Sequence, residues 1–189
     1  RLAGSLDSLS QTPAVQAPVA NDHDAGQIVF VSCKNYNSLG MDGQCGIYIM
    51  DADGSSMRQL TNLNDDNTPS LSPDGTQVAF RSHQQDENDD IYVINTDGSH
   101  RTRLTSNPEE ETAPSWSPDG RQILFVSGKD NVSYLNIMDA DGTHVQVIKT
   151  SRTENIESAV WSPDGSQIVF ASGTNDLSYS YLNIMDADG

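Results

Sequence analysis

Carboxylates are the side chains with the most chemistry to offer in this sequence. It carries 27 Asp and Glu against 10 Lys and Arg, a formal charge of −17 over 189 residues. They gather in two kinds of place. One is a recurring Asp-x-Asp-Gly, as in Asp51-Ala52-Asp53-Gly54 and Asp139-Ala140-Asp141-Gly142. The other is a set of acidic runs: Asn64-Asp65-Asp66-Asn67, Asp86 to Asp90, Glu109-Glu110-Glu111 and Glu154-Asn155-Ile156-Glu157. Carboxylates this close together can hold a divalent cation or a cationic side chain.

The first set fails as a calcium loop. An EF-hand needs an acid two residues before the first of these Asp residues and a Glu six residues after the Gly. Here Ile49 or Ile137 holds the first position, and Leu60 and Ile148 stand where the Glu belongs. A hairpin turn with its glycine in the left-handed region accounts for the motif. Binding residues are therefore expected in the second set: Asp65, Asp66, Asp86, Glu87, Asp89, Asp90, Glu110, Glu111 and Glu157. Calcium at these clustered acids is the one cofactor to consider, and no dedicated metal site is assigned.

No H-E-x-x-H, G-x-S-x-G or phosphate-loop motif occurs. His23, His83, His100 and His144 are scattered, and the last two share one slot, two residues past a turn glycine. No catalytic residue is assigned, and the chain reads as non-enzymatic. An acidic surface repels phosphates, which argues against nucleic acid and favours a protein partner of cationic character. No run of 18 apolar residues exists, so this segment is not expected to insert into a membrane.

The elements that must position these acids are set by internal repetition. Ser72-Pro73-Asp74-Gly75 returns at Ser117 and Ser162, in two steps of 45. The Asp-x-Asp-Gly turn keeps step with it, at Asp51, Asn95, Asp139 and Asp186, and the nonapeptide from Tyr134 to Gly142 recurs letter for letter from Tyr181 to Gly189. Each unit reads as four strands. A short strand leads into the Pro-Asp-Gly turn, where Pro presets φ and Gly accepts a positive one. An apolar run follows, such as Ile123-Leu124-Phe125-Val126, then a polar loop, then a third strand such as Leu135-Asn136-Ile137-Met138. The Asp-x-Asp-Gly turn leads to a fourth strand, Arg101 to Thr105 in one copy.

The second strand is apolar without alternation, which means cover on both faces. Four strands at a period near 45 residues, with two-sided cover, are the mark of a propeller blade. The expected fold is all-β, an arc of four-stranded antiparallel blades in units 27–67, 68–111, 112–157 and 158–189, behind a linker or tail at 1–26. About three and a half blades are expected, as a fragment of a longer protein. Trp116 and Trp161 share one slot with Leu71 and are expected to pack in the core. Alternating strand direction puts both turn types at one end of each blade and the longer loops, which hold the acidic runs, at the other, around the mouth of a central channel. Cys33 closes a second strand and Cys45 opens the third, a geometry that suits a disulfide and with it an exported protein.

The pattern Pro-Ser-Trp-Ser-Pro-Asp-Gly-x-Gln-Ile-x-Phe, then Ile-Met-Asp-Ala-Asp-Gly, then Leu-Thr, resembles the WD40-like repeat of TolB-type propellers over residues 27–189. The Trp-Asp and Gly-His pairs of the WD40 repeat proper are absent. The resemblance implies six to eight blades in the intact protein and a periplasmic or extracellular location. Its members include an envelope propeller, exported bacterial proteins and the propellers of prolyl-oligopeptidase-like peptidases. Three functions are expected to compete: a non-catalytic protein-binding scaffold, the propeller of a serine peptidase, and the sensor ectodomain of a membrane-anchored protein.

Overall fold

The structure is a computed structural model that describes residues 26–34, 44–62, 65–83, 88–174 and 179–188. Every regular element among them is a strand. The first sheet holds β1 (Gln27–Lys34), β2 (Gln44–Asp51) and β3 (Arg58–Gln59). The second holds β4 (Asn67–Leu71), β5 (Gln77–His83), β6 (Asp89–Asn95) and β7 (Thr102–Arg103). The third holds β8 (Glu110–Trp116), β9 (Gln122–Lys129), β10 (Val132–Asp139) and β11 (Gln146–Ser151). The fourth holds β12 (Glu154–Trp161), β13 (Gln167–Thr174) and β14 (Ser180–Asp186). Within every sheet the strands pair antiparallel in chain order, the up-and-down arrangement of a propeller blade. The expected linker at 1–26 lies, but for Gly26, outside the described residues. The fourth strand of the second sheet is shorter than expected, two residues rather than five.

Both turn types owe their shape to side chains that bond their own backbone. In the Pro-Asp-Gly turns the Ser hydroxyl donates to the Asp carboxylate, at 2.6 Å from Ser72 to Asp74 and 2.7 Å from Ser117 to Asp119. The same hydroxyl accepts the backbone N–H of the residue that opens the next strand, Gln77, Gln122 or Gln167. Gly75, Gly120 and Gly165 take φ near +70° and close the turn. In the Asp-x-Asp-Gly turns the second Asp accepts the N–H two residues on, as Asp97 does from Ser99 at 2.8 Å.

Two-sided burial of the second strand is what the structure shows. Val78, Ala79 and Phe80 are all fully buried, yet they belong to two different cores. Val78 and Phe80 meet Val29, Ile47 and Ile49 of the first sheet. Ala79 joins Trp116, Ile123, Phe125 and Met138 of the third sheet. A further core joins Leu124, Val126, Leu135 and Ile137 to Ile156, Ala159, Ile168 and Phe170 of the fourth sheet. Trp116 packs in the second core and Trp161 against the third, with the Trp161 indole donating to the Ser115 carbonyl across the seam. Cys33 and Cys45 sit directly opposite each other on β1 and β2 and are joined, S–S 2.03 Å.

The repeated nonapeptide allows a controlled comparison, because Leu135 is fully buried while its counterpart Leu182 is 80% exposed. Leu135→Ala is expected to cost about 2–5 kcal/mol of unfolding free energy, and Leu182→Ala no more than about 0.5 kcal/mol. Urea denaturation of the two variants in dilute solution checks this.

Candidate functional site

The acidic runs do fall at the end of the sheets opposite the two turn types, but they are not all loops. Asp89 and Asp90 open β6, Glu110 and Glu111 open β8, and Glu157 lies within β12. Expectation and structure differ here because the first strand of each blade starts earlier than its apolar residues suggest. A break in register follows the opening residues, between Thr112 and Ser115 in β8 and between Ile156 and Ser158 in β12. The blades therefore begin near residues 110 and 154, ahead of the expected starts at 112 and 158. Asp86 and Glu87 lie outside the described residues.

Three of these acids are committed inside the second blade. Asp66 is fully buried and takes both guanidinium ends of Arg101, at 2.8 and 2.9 Å. Arg101 also donates to the Ser82 hydroxyl at 2.8 Å, and its guanidinium lies 4.8 Å from the ring centres of both Phe80 and Tyr92. This side chain plugs the blade, satisfying a buried carboxylate while stacking on two rings. Asp90, also fully buried, pairs with Arg103 at 2.7 Å. Asp89 takes Arg81 at 3.0 Å and His83 at 3.2 Å.

The later blades solve the same problem without arginine. In the slot two residues before Glu111, Glu109 accepts the Ser127 hydroxyl at 2.9 Å, and that oxygen accepts the Asn136 amide at 3.0 Å. Glu154, Ser172 and Asn183 repeat the arrangement at 2.7 and 2.9 Å. These clips tie the start of a blade's first strand to its second and third. Sequence reading placed Glu109 and Glu154 in acidic runs but not among the binding residues, although the shared eight-residue spacing from the turn Asp to Ser82, Ser127 and Ser172 was visible.

Glu111 occupies the slot of Asp66 in the next blade but has no arginine of its own. It is fully buried, and Asn107 donates to one of its oxygens. Burial pushes its carboxyl from 4.5 up to about 7; the charges of Asp90 and Glu109 push the same way, against hydrogen bonds from Thr105 and Asn107. The turn acids move oppositely. Hydroxyl donation from Ser162 and N–H donation from Ser166 hold Asp164 at about 2.

A cleft of about 360 Å³ opens at this end, between the second, third and fourth sheets. Of the expected acids it gathers Asp89, Glu110 and Glu111. It adds Arg81, Lys129 and Asp130, which sequence reading did not single out. Asp130 and Asn131 form the tip of the tight β9–β10 hairpin, at φ 53° and 62°. That is the left-handed pair a two-residue turn requires, and Lys-Asp-Asn-Val between two apolar strands was its signal. Asp65 is exposed outside the cleft, and Glu157 lies apart from it, 3.4 Å from the Ser180 hydroxyl. Among the described residues no three His, Cys, Asp or Glu side chains are placed to hold a metal ion.

Two stability measurements follow from these buried acids. Arg101→Ala strands the Asp66 carboxylate and is expected to cost about 3–5 kcal/mol in urea denaturation. Arg101→Lys should recover only part, since an ammonium cannot make the paired contact. The folded chain holds the Glu111 proton more tightly than an unfolded chain does. That contribution is full below about pH 4.5 and is lost as pH rises through about 7. Glu111→Gln is expected to flatten the fall, followed as melting temperature against pH.

The architecture matches known proteins. The family model of the TolB beta propeller domain matches residues 24–189. The putative TolB of Agrobacterium tumefaciens is similar at 26% identity and TM-score 0.74, covering 86% of this chain and 58% of its own. TolB of Acinetobacter baumannii is similar at 21% identity and TM-score 0.66, covering 86% and 38%. The propeller fold is also shared with a prolyl endopeptidase, at 13% identity and TM-score 0.63, covering 94% of this chain and 28% of that one. This chain thus spans 58% and 38% of the two TolB structures. No curated protein sequence matches it. With four sheets in up-and-down order, two-sided cores and a family match over every described residue, the chain belongs to the TolB beta propeller domain family.

Proposed function

We propose that this chain is a protein-binding scaffold without a catalytic role, working in the cell envelope or outside the cell, and that it receives a cationic segment of a partner protein. The observation that carries this reading is the cleft at the acidic end of the sheets. Glu110 and Asp130 are exposed there on strand and hairpin positions fixed by the blade, while Asp89 is already paired with Arg81 and His83. Binding groups held by a rigid scaffold lose little entropy on engagement. A net charge of −17 attracts positively charged partners to the chain as a whole and speeds their encounter. Membership of the TolB family and the Cys33–Cys45 bridge support an envelope or extracellular setting.

A second reading keeps the same cleft but makes the chain the propeller of a peptidase. The likeness to a prolyl endopeptidase, which covers 94% of this chain, favours it. There the acidic end would face substrate rather than a docking partner.

The scaffold reading is tested by immobilising the chain, passing an envelope extract over it and identifying retained proteins by mass spectrometry. A defined partner is expected that is released by salt and lost with Glu110→Lys/Asp130→Lys. Retention indifferent to both salt and charge reversal would defeat the proposal.

A further inference from the structure

Glu111 is a carboxylate with half of its bonding unmade. It is fully buried, and Asn107 donates to its Oε1. Thr105 also favours its charged form. Its Oε2 is buried with no hydrogen-bond partner. Neither Arg81 nor Arg103 serves it, since Arg81 is paired with Asp89 at 3.0 Å and Arg103 with Asp90 at 2.7 Å. A buried acceptor left unpaired costs its desolvation, so any arrangement that brings it a donor is favoured. Glu111 lines the cleft, and every residue around that cleft falls between positions 81 and 156. A second orphan borders the same space: the Arg81 Nε is buried without an acceptor.

The chain itself shows what this slot takes when it is filled. One blade earlier the slot holds Asp66, and Arg101 forks onto both of its oxygens at 2.8 and 2.9 Å. The third blade keeps the acid but not the arginine. Three residues past the turn glycine stands Arg101 in the second blade and Val145, 51% exposed, in the third. The fourth blade removes the need by holding buried Ile156 in the slot. Among the described residues, only the third blade has a buried acid at this slot and no cation for it. The Ser127 hydroxyl beside it is already shared between Glu109 and Asn136. An incoming group is therefore left with Glu111 and with the exposed acids of the rim, Glu110 and Asp130.

We infer that the cleft seats one arginine side chain of a protein partner, whose guanidinium is supplied to Glu111 in trans, with Glu110 and Asp130 at the rim. This rests on the reading of the chain as a scaffold for a cationic segment and names the group that is read. Lysine fits less well, because an ammonium is a point charge while a planar guanidinium spreads its donors toward several acceptors. Oε2 is covered in the free chain, so the side chains over it shift on binding, as interface side chains commonly do.

NMR titration of the isotope-labelled whole chain tests the inference with L-argininamide, L-lysinamide and the uncharged L-citrullinamide. L-Argininamide is expected to shift the backbone amide signals of Glu111, Ser127 and Asn155 saturably in the millimolar range. L-Lysinamide should do so more weakly, and L-citrullinamide not at all. Glu111→Gln, which removes the charge at nearly constant shape, is expected to lose the response. Glu111→Ile should lose it too, and it installs the residue that the fourth blade already accepts at this slot. The inference is overturned if the wild type shows no saturable shift at these residues, or responds equally to L-lysinamide or L-citrullinamide. It is also overturned if either Glu111 variant, folded by its amide spectrum, binds L-argininamide as the wild type does. A silent titration beside an envelope partner still captured through Glu110 and Asp130 removes the arginine and leaves the scaffold.

Discussion

Everything in this molecule depends on strands that must be covered twice. A β-strand sends alternate side chains to opposite faces, and when both sets are apolar one layer cannot satisfy it. Val78 and Phe80 go one way and Ala79 the other, and each set finds a different sheet. No sheet here is a stable object by itself; stability resides in the seams. The size of each side chain is set by its seam: Ala79 is small where Trp116 and Phe125 crowd in, and Phe80 is large beside the smaller Val29.

Polar groups inside this frame are handled by substitution at fixed slots. Asp66, Glu111 and Ile156 occupy equivalent positions six residues before the turn serine. The first is neutralised by Arg101, the second has its carboxyl pushed up to about 7 by burial, and the third has dispensed with charge. The three solutions form a gradient of polarity across the arc. The cleft sits where it changes, beside the blade whose acid lacks a strong partner.

Turn chemistry and two-sided apolar runs were legible in the sequence because they are local. Ser-Pro-Asp-Gly bonds within its own six residues, and an unbroken apolar run states its own burial. The acidic residues were less legible because their state depends on distant partners. Arg101 reaches Asp66 across 35 positions, and nothing near Asp66 announces it. Glu110 and Glu111 are neighbours, yet strand alternation exposes one and buries the other. Their assignment to a loop failed because the opening of β8 is polar, and polarity was read as a connection. Lys129 and Asp130 were passed over inside the polar loop between the second and third strands, because their place in the cleft arises only when three sheets meet.

The serine-capped turns carry one more consequence. Gly120 faces the ring of Pro73, and Gly165 that of Pro118, each with room for a single carbon between them. The facing pairs form a staircase along one rim, each step setting a glycine at positive φ toward the proline of the step before it. Growth by copying therefore preserves the pitch automatically, since every new module arrives with both halves of its own tread. The opposite rim bears no such gauge and is free to diversify.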